Sequence, residues 1–502
     1  MFLLVQKIIK FCFIILLSSV IFTLAYSQEK STPKEFSWQP IFQLLAKEKF
    51  DKLGICRLSR VVDPVAKKGN NTSFVVGQAL ICTLKIGEEV RIWHKILNYG
   101  SGNEVAPVIL DALLNEDYPD FQIFTVFADG SLIALLEHPV LKVVKFNPRG
   151  KKEWEYEIKI QSYPNLSGKN IKISKTQDGY LILAYDLNGL KKSTIEDNPP
   201  EPILPFTMIK INDQGKQQWS QDSNFPALSG ETFLSDNEQG INIWSLENDG
   251  MAVSLITQKN NEPSDNLISL HFFIGYYTKD YGWTIRDFSA DEMPDFDWYF
   301  NIDKKGYMDF LAFNIGAKQD YEFLYQLGLT IVDPRPLTSQ ENSPKIKWQY
   351  KFAVDRPLSD KNEGAFCLYP QWVMGDEESY MVLCQQQYVR ADDKNMLMPV
   401  EDKEYERLLF WELKKDGTLI NKKTILAGID FKNILRYEED DQSYKYHIIS
   451  PVVINRHLIF GLSKFSSTVP ISKQELQRLL SLNDDKKLAD VLDLKIYDFQ
   501  LP

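Results

Sequence analysis

Short apolar runs cut by Asp-Gly and Asn-x-x-Gly signals recur along most of this chain. One stretch reads Phe127-Ala128-Asp129-Gly130-Ser131, an apolar run Leu132 to Leu135, and a second run Leu141 to Phe146. It ends in Asn147-Pro148-Arg149-Gly150 and Lys151-Lys152-Glu153-Trp154. The next stretch repeats the order with Gln177-Asp178-Gly179, Tyr180 to Ala184, Phe206 to Ile211, Asn212-Asp213-Gln214-Gly215 and Lys216-Gln217-Gln218-Trp219. Asp-Gly between apolar runs predicts a tight hairpin, because glycine takes the positive φ such turns require. Asn-x-x-Gly marks a second hairpin by the same logic. Each stretch therefore predicts strand, tight turn, strand, loop, strand, tight turn, strand, which is a four-stranded antiparallel meander. In the triplets Leu84-Lys85-Ile86, Val144-Lys145-Phe146 and Ile209-Lys210-Ile211, period-2 alternation places Lys on a solvated face and its neighbours inward.

Other stretches keep this grammar. Asn248-Asp249-Gly250 opens a unit that closes near Gly282-Trp283, and Asp303-Lys304-Lys305-Gly306 opens one that closes at Trp348. Asp416-Gly417 supplies the second turn of a further unit, in which Asn421 stands where the others carry Trp. Leu84 to Trp93 forms the rear half of a first unit. The tryptophans Trp93, Trp154, Trp219, Trp283 and Trp348 are separated by 61, 65, 64 and 65 residues. A beat of that length signals copies of one supersecondary unit. At 502 residues the chain also exceeds the single-core limit of about 250–300 residues. Two helical pieces fit around the repeats. One starts near Pro40 and runs through Ile41 to Lys47. The other starts at the capping box Ser472 to Glu475, carries Leu476, Leu479 and Leu480 on one face, and belongs to an insertion at about 471–492.

Gly-Lys-Lys-Glu-Trp at 150–154 and Gly-Lys-Gln-Gln-Trp at 215–219 resemble the repeat of quinoprotein-type β-propellers, the PQQ-like repeat superfamily. The resemblance implies that third and fourth strands meet at a turn ending in Gly and that the following Trp docks blade against blade. It assigns a blade-docking role to Trp93, Trp154, Trp219, Trp283 and Trp348. Gly87 to Trp93 is two residues longer than this pattern, and Gly282 to Trp283 is three shorter. Six such closures, counting Asn421, are followed by strands at about Tyr444 to Val453, His457 to Lys464 and Leu494 to Leu501. Leu53 to Val61 is expected to complete that last sheet, so that strands from both chain ends close a ring without free edges. The expected fold is all-β: a single β-propeller over residues 53–502, with four-stranded antiparallel blades and short helical decorations near both termini. Seven blades are favoured and six are the alternative. Quinone-dependent dehydrogenases of this superfamily set adjacent cysteines against the cofactor ring. No Cys-Cys pair occurs here, so no cofactor is expected.

The first residues read as a targeting segment. Lys7 and Lys10 precede the apolar run Phe11 to Ala25, and Ala25-Tyr26-Ser27 offers the small residues a signal peptidase reads. That run is short against the roughly 20 residues of a bilayer span. A signal peptide over residues 1–27, cleaved near Ser27, is expected, with an uncleaved anchor as the alternative. An N-terminal segment over residues 28–52 follows it. The mature protein is expected to be periplasmic or secreted, without stable membrane insertion. Losing Lys7 and Lys10 takes the net charge from -11 to -13, and an acidic surface disfavours nucleic acid. Hydrophobic content of 44% with charged content of 25% excludes wholesale disorder. Four cysteines remain after cleavage, which permits two disulfides in an exported chain. Folding a hairpin about Gly375 to Glu378 brings Cys367 nearly opposite Cys384, a bridgeable placement, with two free buried thiols as the alternative. For Cys56 and Cys82 the spacing gives permission only.

Candidate chemistry is sparse. The long insertions, Asp186 to Pro205, Gln258 to Leu267, Asn314 to Glu322 and Val389 to Arg407, all join second to third strands and so share one rim. Variable loops over a rigid scaffold are a usual binding surface. Asp297, Trp298 and Tyr299 combine carboxylate and aromatic groups suited to a sugar or cation, although the calcium-loop spacing is missing. The alternative is a solvated connection followed by a core strand. The five histidines, His94, His138, His271, His447 and His457, show no metal-ligand spacing, and no nucleophile elbow or phosphate loop occurs. No catalytic or metal-binding residue is assigned. The expected role is a monomeric binding or scaffold module for a protein or glycan, acting through the loop rim. The alternative is a polysaccharide hydrolase or lyase with axial carboxylates. Asn70, Asn71 and Asn165 each begin an Asn-x-Ser/Thr triplet, the acceptor pattern for glycosylation in a eukaryotic secretory route.

Overall fold

The structure is a computed structural model. It describes residues 34–501 except 64–73, 98–104, 113, 115–120, 138, 161–165, 187–203, 226–230, 234–240, 247–249, 260–266, 279–281, 295–298, 303–307, 318–322, 334–344, 353–362, 374–378, 392–396, 400–406, 415, 428–446 and 464–469. The signal segment, Asp297, Trp298, Asn70, Asn71 and Asn165 therefore lie outside the described residues.

Among the described residues the chain is built from strands, gathered into seven antiparallel units. Unit one holds Lys52–Asp63, Phe74–Ile86, Glu89–Leu97 and Val108–Ile109, and unit two holds Phe121–Phe127, Leu132–Leu136, Lys142–Phe146 and Lys152–Glu157. A short parallel pairing of Val61 with Val126 and Val62 with Phe127 fuses these two into one sheet. Unit three holds Ile171–Lys175, Gly179–Tyr185, Leu204–Asn212 and Gln217–Phe225. Unit four holds Ile241–Ser245, Met251–Lys259, Leu267–Thr278 and Gly282–Pro294, with Glu231–Phe233 beside its second strand. Unit five holds Tyr299–Ile302, Met308–Ala317, Phe323–Asp333 and Lys345–Phe352. Unit six holds Glu363–Val373, Ser379–Ala391, Arg407–Lys414 and Leu419–Ala427, with Leu397–Pro399 also paired to the second strand. In unit seven His447–Ile454, His457–Ser463 and Lys495–Gln500 are completed by Lys34–Glu35.

That last pairing corrects an expectation. Leu53 to Val61 does not complete the C-terminal sheet. It lies within Lys52–Asp63, the first strand of unit one, where it pairs with Phe74–Ile86 along nearly its whole length. The outer strand of unit seven instead comes from residues ahead of the first helix. Lys34 pairs with Asp498, Glu35 with Tyr497, and the Phe36 amide donates to the Ile496 carbonyl at 2.9 Å. The N-terminal segment is thus part of a sheet rather than a separate leader to it.

Burial explains the composition of the strands. The second strands Leu132–Leu136 and Gly179–Tyr185 are buried on both sides, because each unit packs against a neighbour on either face. Such strands read as unbroken apolar runs rather than alternating ones. The fourth strands Lys152–Glu157 and Gln217–Phe225 lie at the outside, and their side chains are mostly polar and exposed. Apolar clusters bridge successive units. Val61, Ile81, Ile92, Val126 and Leu132 join one to two. Phe127, Leu135, Tyr180 and Ile209 join two to three, and Leu183, Met208, Ile243 and Val253 join three to four. Strands of units four and five, and of five and six, also touch. Leu383, Phe410, Leu458 and Phe460 join six to seven. Each such fully buried side chain contributes about 1.5–3 kcal/mol.

The same stacking overturns the expected solvation of the lysine triplets. Lys210 is buried, because the face opposite the inward residues is covered by the next unit rather than by water. Its ammonium reaches the edge of the sheet and pairs with Asp178 and Thr176. Lys145 is half-buried and pairs with Glu153 at 2.9 Å. Lys85 sits on a second strand rather than a third, so its triplet is not the counterpart of the other two.

Three helices close the junction of unit seven with unit one. Helix α1 is Gln39–Lys47, α2 is Lys473–Ser481 and α3 is Asp485–Leu492. The expected insertion at 471–492 is therefore two helices, broken at Leu482 to Asp484. The Ser472 hydroxyl accepts from the Glu475 amide at 3.1 Å and starts α2. Asp484 caps α3, accepting from the Lys486 and Lys487 amides, and Asp493 ends it in the left-handed region. Trp38, Phe42 and Leu45 of α1 and its cap share a core with Leu476, Leu479, Leu488 and Leu492, together with Leu80 and Trp93 of unit one and Ile459 and Ile496 of unit seven.

Candidate functional site

The units present two rims of different character. On one rim lie the connections that join first to second and third to fourth strands. These are tight turns in units two, three, four and six, but longer in unit one and between Asp333 and Lys345 of unit five. In units two and three the third-to-fourth turns are the same object. The Asn147 side-chain oxygen accepts from the Arg149 and Lys151 amides, and the Asn212 oxygen accepts from the Gln214 and Lys216 amides. Gly150 and Gly215 follow with φ of 74° and 75°, which L side chains rarely adopt. One residue of β-bulge comes next, between Lys145 and Phe146 and between Lys210 and Ile211, and leaves Trp154 opposite Lys145 and Trp219 opposite Lys210.

Trp154 reaches across to unit three. Its indole N–H donates to the Asp213 carbonyl at 2.8 Å, its ring meets Tyr180 at 5.8 Å between centroids, and it lies against Gly215. A Cβ on Gly215 would sit 2.7 Å from the indole, so the glycine serves both turn and contact. The Tyr156 hydroxyl donates to Gln217 at 2.6 Å beside it. Around this contact Lys175 pairs with Asp213 at 2.7 Å and lies over the Tyr180 ring. Burial would raise the Asp178 carboxyl, but hydrogen bonds and charge from Lys210, with help from Thr176, hold it below its usual range. Burial, then the charges of Asp213, Glu153 and Asp129, push the Tyr180 phenol upward. Burial pushes Tyr185 up to about 12, and its hydroxyl donates to the Lys169 carbonyl. Lys175, Lys210, Asp178 and Asp213 on the turn rim thus serve packing, while Tyr185 belongs to the opposite end of its strand.

The other rim carries the second-to-third connections. In units three, four, five and six these leave after Tyr185, Lys259, Ala317 and Ala391. Those of units three and six are long, whereas the expected insertions Gln258 to Leu267 and Asn314 to Glu322 shrink because their flanking residues extend the strands. In unit seven the same connection contains α2 and α3. Asp485 accepts from the Trp38 and Gln39 amides at 3.0 Å each and from the Ser37 hydroxyl at 2.8 Å, so α3 caps the start of α1. The Lys473 ammonium donates to the Glu48 carbonyl, and the Asp51 carboxylate accepts from the Gly87 amide at 2.6 Å.

The residues singled out by sequence distribute as follows. Trp154, Trp219, Trp283 and Trp348 all lie on fourth strands. Trp93 does not. It sits on the third strand of unit one, wholly buried in the core beneath the helices, so the first interval of the ladder joins non-equivalent positions. The fourth strand of unit one is only Val108–Ile109, and it meets the turn of unit two through backbone, the Asp111 amide donating to the Gly150 carbonyl at 2.8 Å. Tyr299 opens the first strand of unit five opposite Leu311. Cys56 and Cys82 are directly paired across the first two strands of unit one and form a disulfide, with Cα atoms 4.1 Å apart. Cys367 registers with Gln386 rather than Cys384, because the hairpin pairs Val373 with Met381 and so folds about a point further along the chain than expected.

Two groups escaped the sequence reading. His94 is wholly buried in the strand Glu89–Leu97, and neither ring nitrogen has a partner among the described residues. Glu412 is buried in unit six and pairs with Arg456 of unit seven at 2.8 Å. Among the described residues no three His, Cys, Asp or Glu side chains gather as a metal site.

No family model matches the chain, and no curated protein does. Several solved structures align at low identity. The polysaccharide lyase Uly1 is 7% identical over 90% of this chain and 100% of its own, with a TM-score of 0.39. A Synechocystis apocarotenoid oxygenase variant is 10% identical over 87% of this chain and 94% of its own, with a TM-score of 0.34. A protein of unknown function from Bacteroides caccae is 10% identical over 59% of this chain and 93% of its own, with a TM-score of 0.24.

Proposed function

We propose that the chain is an exported seven-bladed β-propeller of the PQQ-like repeat type, acting as a monomeric binding or scaffold module for a protein or glycan. Each of the seven units is one blade. Contacts running from unit one through unit seven, and from unit seven back to unit one beneath the helices, support a closed ring. Ring-averaged electron micrographs with six rather than seven petals would correct the count. The Cys56–Cys82 bridge fits an oxidising compartment and supports export.

The placement of the longest connections carries the binding reading. Turn-rim polar groups such as Lys175, Lys210, Asp178 and Asp213 are consumed in contacts within and between units. The longest connections within units, after Tyr185, Ala391 and Ser463, leave from the opposite rim, where insertions cost the scaffold little. The competing hydrolase or lyase needs a carboxyl held high as a proton donor. Among the described residues the shifted carboxyls, Glu155, Asp178, Asp416 and Glu475, are all held low. The test is a deletion of Lys191 to Glu201 in the mature protein. Unfolding is expected to stay unchanged while capture of a partner from the native envelope or culture fluid is lost. Undiminished capture removes the loop rim from consideration.

A further inference from the structure

In units two and three a lysine stands opposite a tryptophan one residue past the bulge, and Trp154 docks on the third-to-fourth turn of the following unit. Unit six keeps the bulge but changes both residues, and Glu412 stands opposite Asn421. The following unit explains the change. The third and fourth strands of unit seven, Lys495–Gln500 and Lys34–Glu35, come from opposite ends of the chain, so no covalent turn joins them. A tryptophan at position 421 has no turn carbonyl to receive its N–H.

We propose that Glu412, Arg456 and Asn421 form a polar lock that replaces the tryptophan dock where unit six meets unit seven. Arg456 lies on the first-to-second turn of unit seven, held there by positive φ at Asn455 and Arg456, and its guanidinium donates to the Glu412 Oε1 at 2.8 Å. The Ser379 hydroxyl approaches the same oxygen at 3.5 Å. Glu412 Oε2 and Asn421 Nδ2 are both buried and have no direct partner among the described residues. They belong to directly opposed residues, one an acceptor and the other a donor. A single water accepting from the amide and donating to the carboxylate satisfies both. An arginine–carboxylate pair lets two units recognise each other without the turn that the indole needs.

The test uses the full mature chain and hydrogen exchange of the amides in His447–Ile454 and His457–Ser463. Glu412→Gln and Arg456→Met are each expected to speed exchange there by about tenfold, and the double variant to be no faster than the worse single. Asn421→Trp, the residue the other units carry, is expected to speed exchange as well. Additive effects of the two single variants, or protection by Asn421→Trp, overturn the proposal. If the tryptophan variant does not fold, the Glu412 and Arg456 cycle decides.

Discussion

Acid should weaken this protein through one histidine. His94 faces the apolar cluster between units one and two, flanked on its strand by Ile92 and Ile96 and registered with Ile81 and Val108. Burial lowers its pKa from 6.5 to about 4. The unfolded chain therefore binds a proton between these values that the folded chain refuses. Stability from this residue is complete above pH 6.5 and is lost as pH falls toward 4. At 1.36 kcal/mol per pKa unit the full loss is about 3 kcal/mol, of which about 2.5 is gone by about pH 4.5. His94→Leu removes the proton site and two unsatisfied nitrogens while keeping an apolar filling, so its stability at about pH 7 should be unchanged or slightly higher. Urea unfolding followed by tryptophan fluorescence at about pH 7 and about pH 4.5 measures the difference. Wild type should lose about 2.5 kcal/mol more than the variant across that interval. Equal losses in the two proteins would refute the reasoning, since every other titrating group is common to both.

Other expectations concern the joints. Trp154→Phe should cost about 1 kcal/mol through the lost bond to the Asp213 carbonyl, and Trp154→Ala about 2–3 kcal/mol because the half-buried ring goes too; a Phe variant as weak as Ala would deny the hydrogen bond its share. Asp485→Ala uncaps α1, and exchange of its first-turn amides should rise by about tenfold with little change near Trp154. The Cys56–Cys82 bridge closes a 26-residue separation, so replacing both cysteines by alanine should cost about 3.5 kcal/mol; non-reducing peptide mapping that finds Cys56 joined elsewhere would contradict the pairing.

Local patterning was readable wherever one physical rule acted alone. The capping box at Ser472 places the start of α2, and Asp129-Gly130 turns with φ of 90° at the glycine. Asp178-Gly179 looks alike in sequence but works differently. Gly179 has no positive φ, and it is needed because a Cβ would lie 2.0 Å from the Ile211 carbonyl oxygen. Lys210 misled for a related reason: alternation distinguishes two faces, yet it does not say that both are covered. Trp93 kept the beat of the ladder while lying on a third strand, because spacing counts residues and not strands. Buried Glu412 and its exposed partner Arg456 stand 44 residues apart in different units, a separation no local rule spans.

What the chain determines alone is its strand-forming grammar, since turn chemistry and apolar runs depend on neighbours a few residues away. Which strands become partners was a tertiary decision. Lys34–Glu35 joins Lys495–Gln500 across nearly the whole chain, and Lys52–Asp63 turns to unit one instead. Such long-range choices follow the burial available to each edge in the assembled stack, a quantity that exists only once the neighbouring sheets are in place.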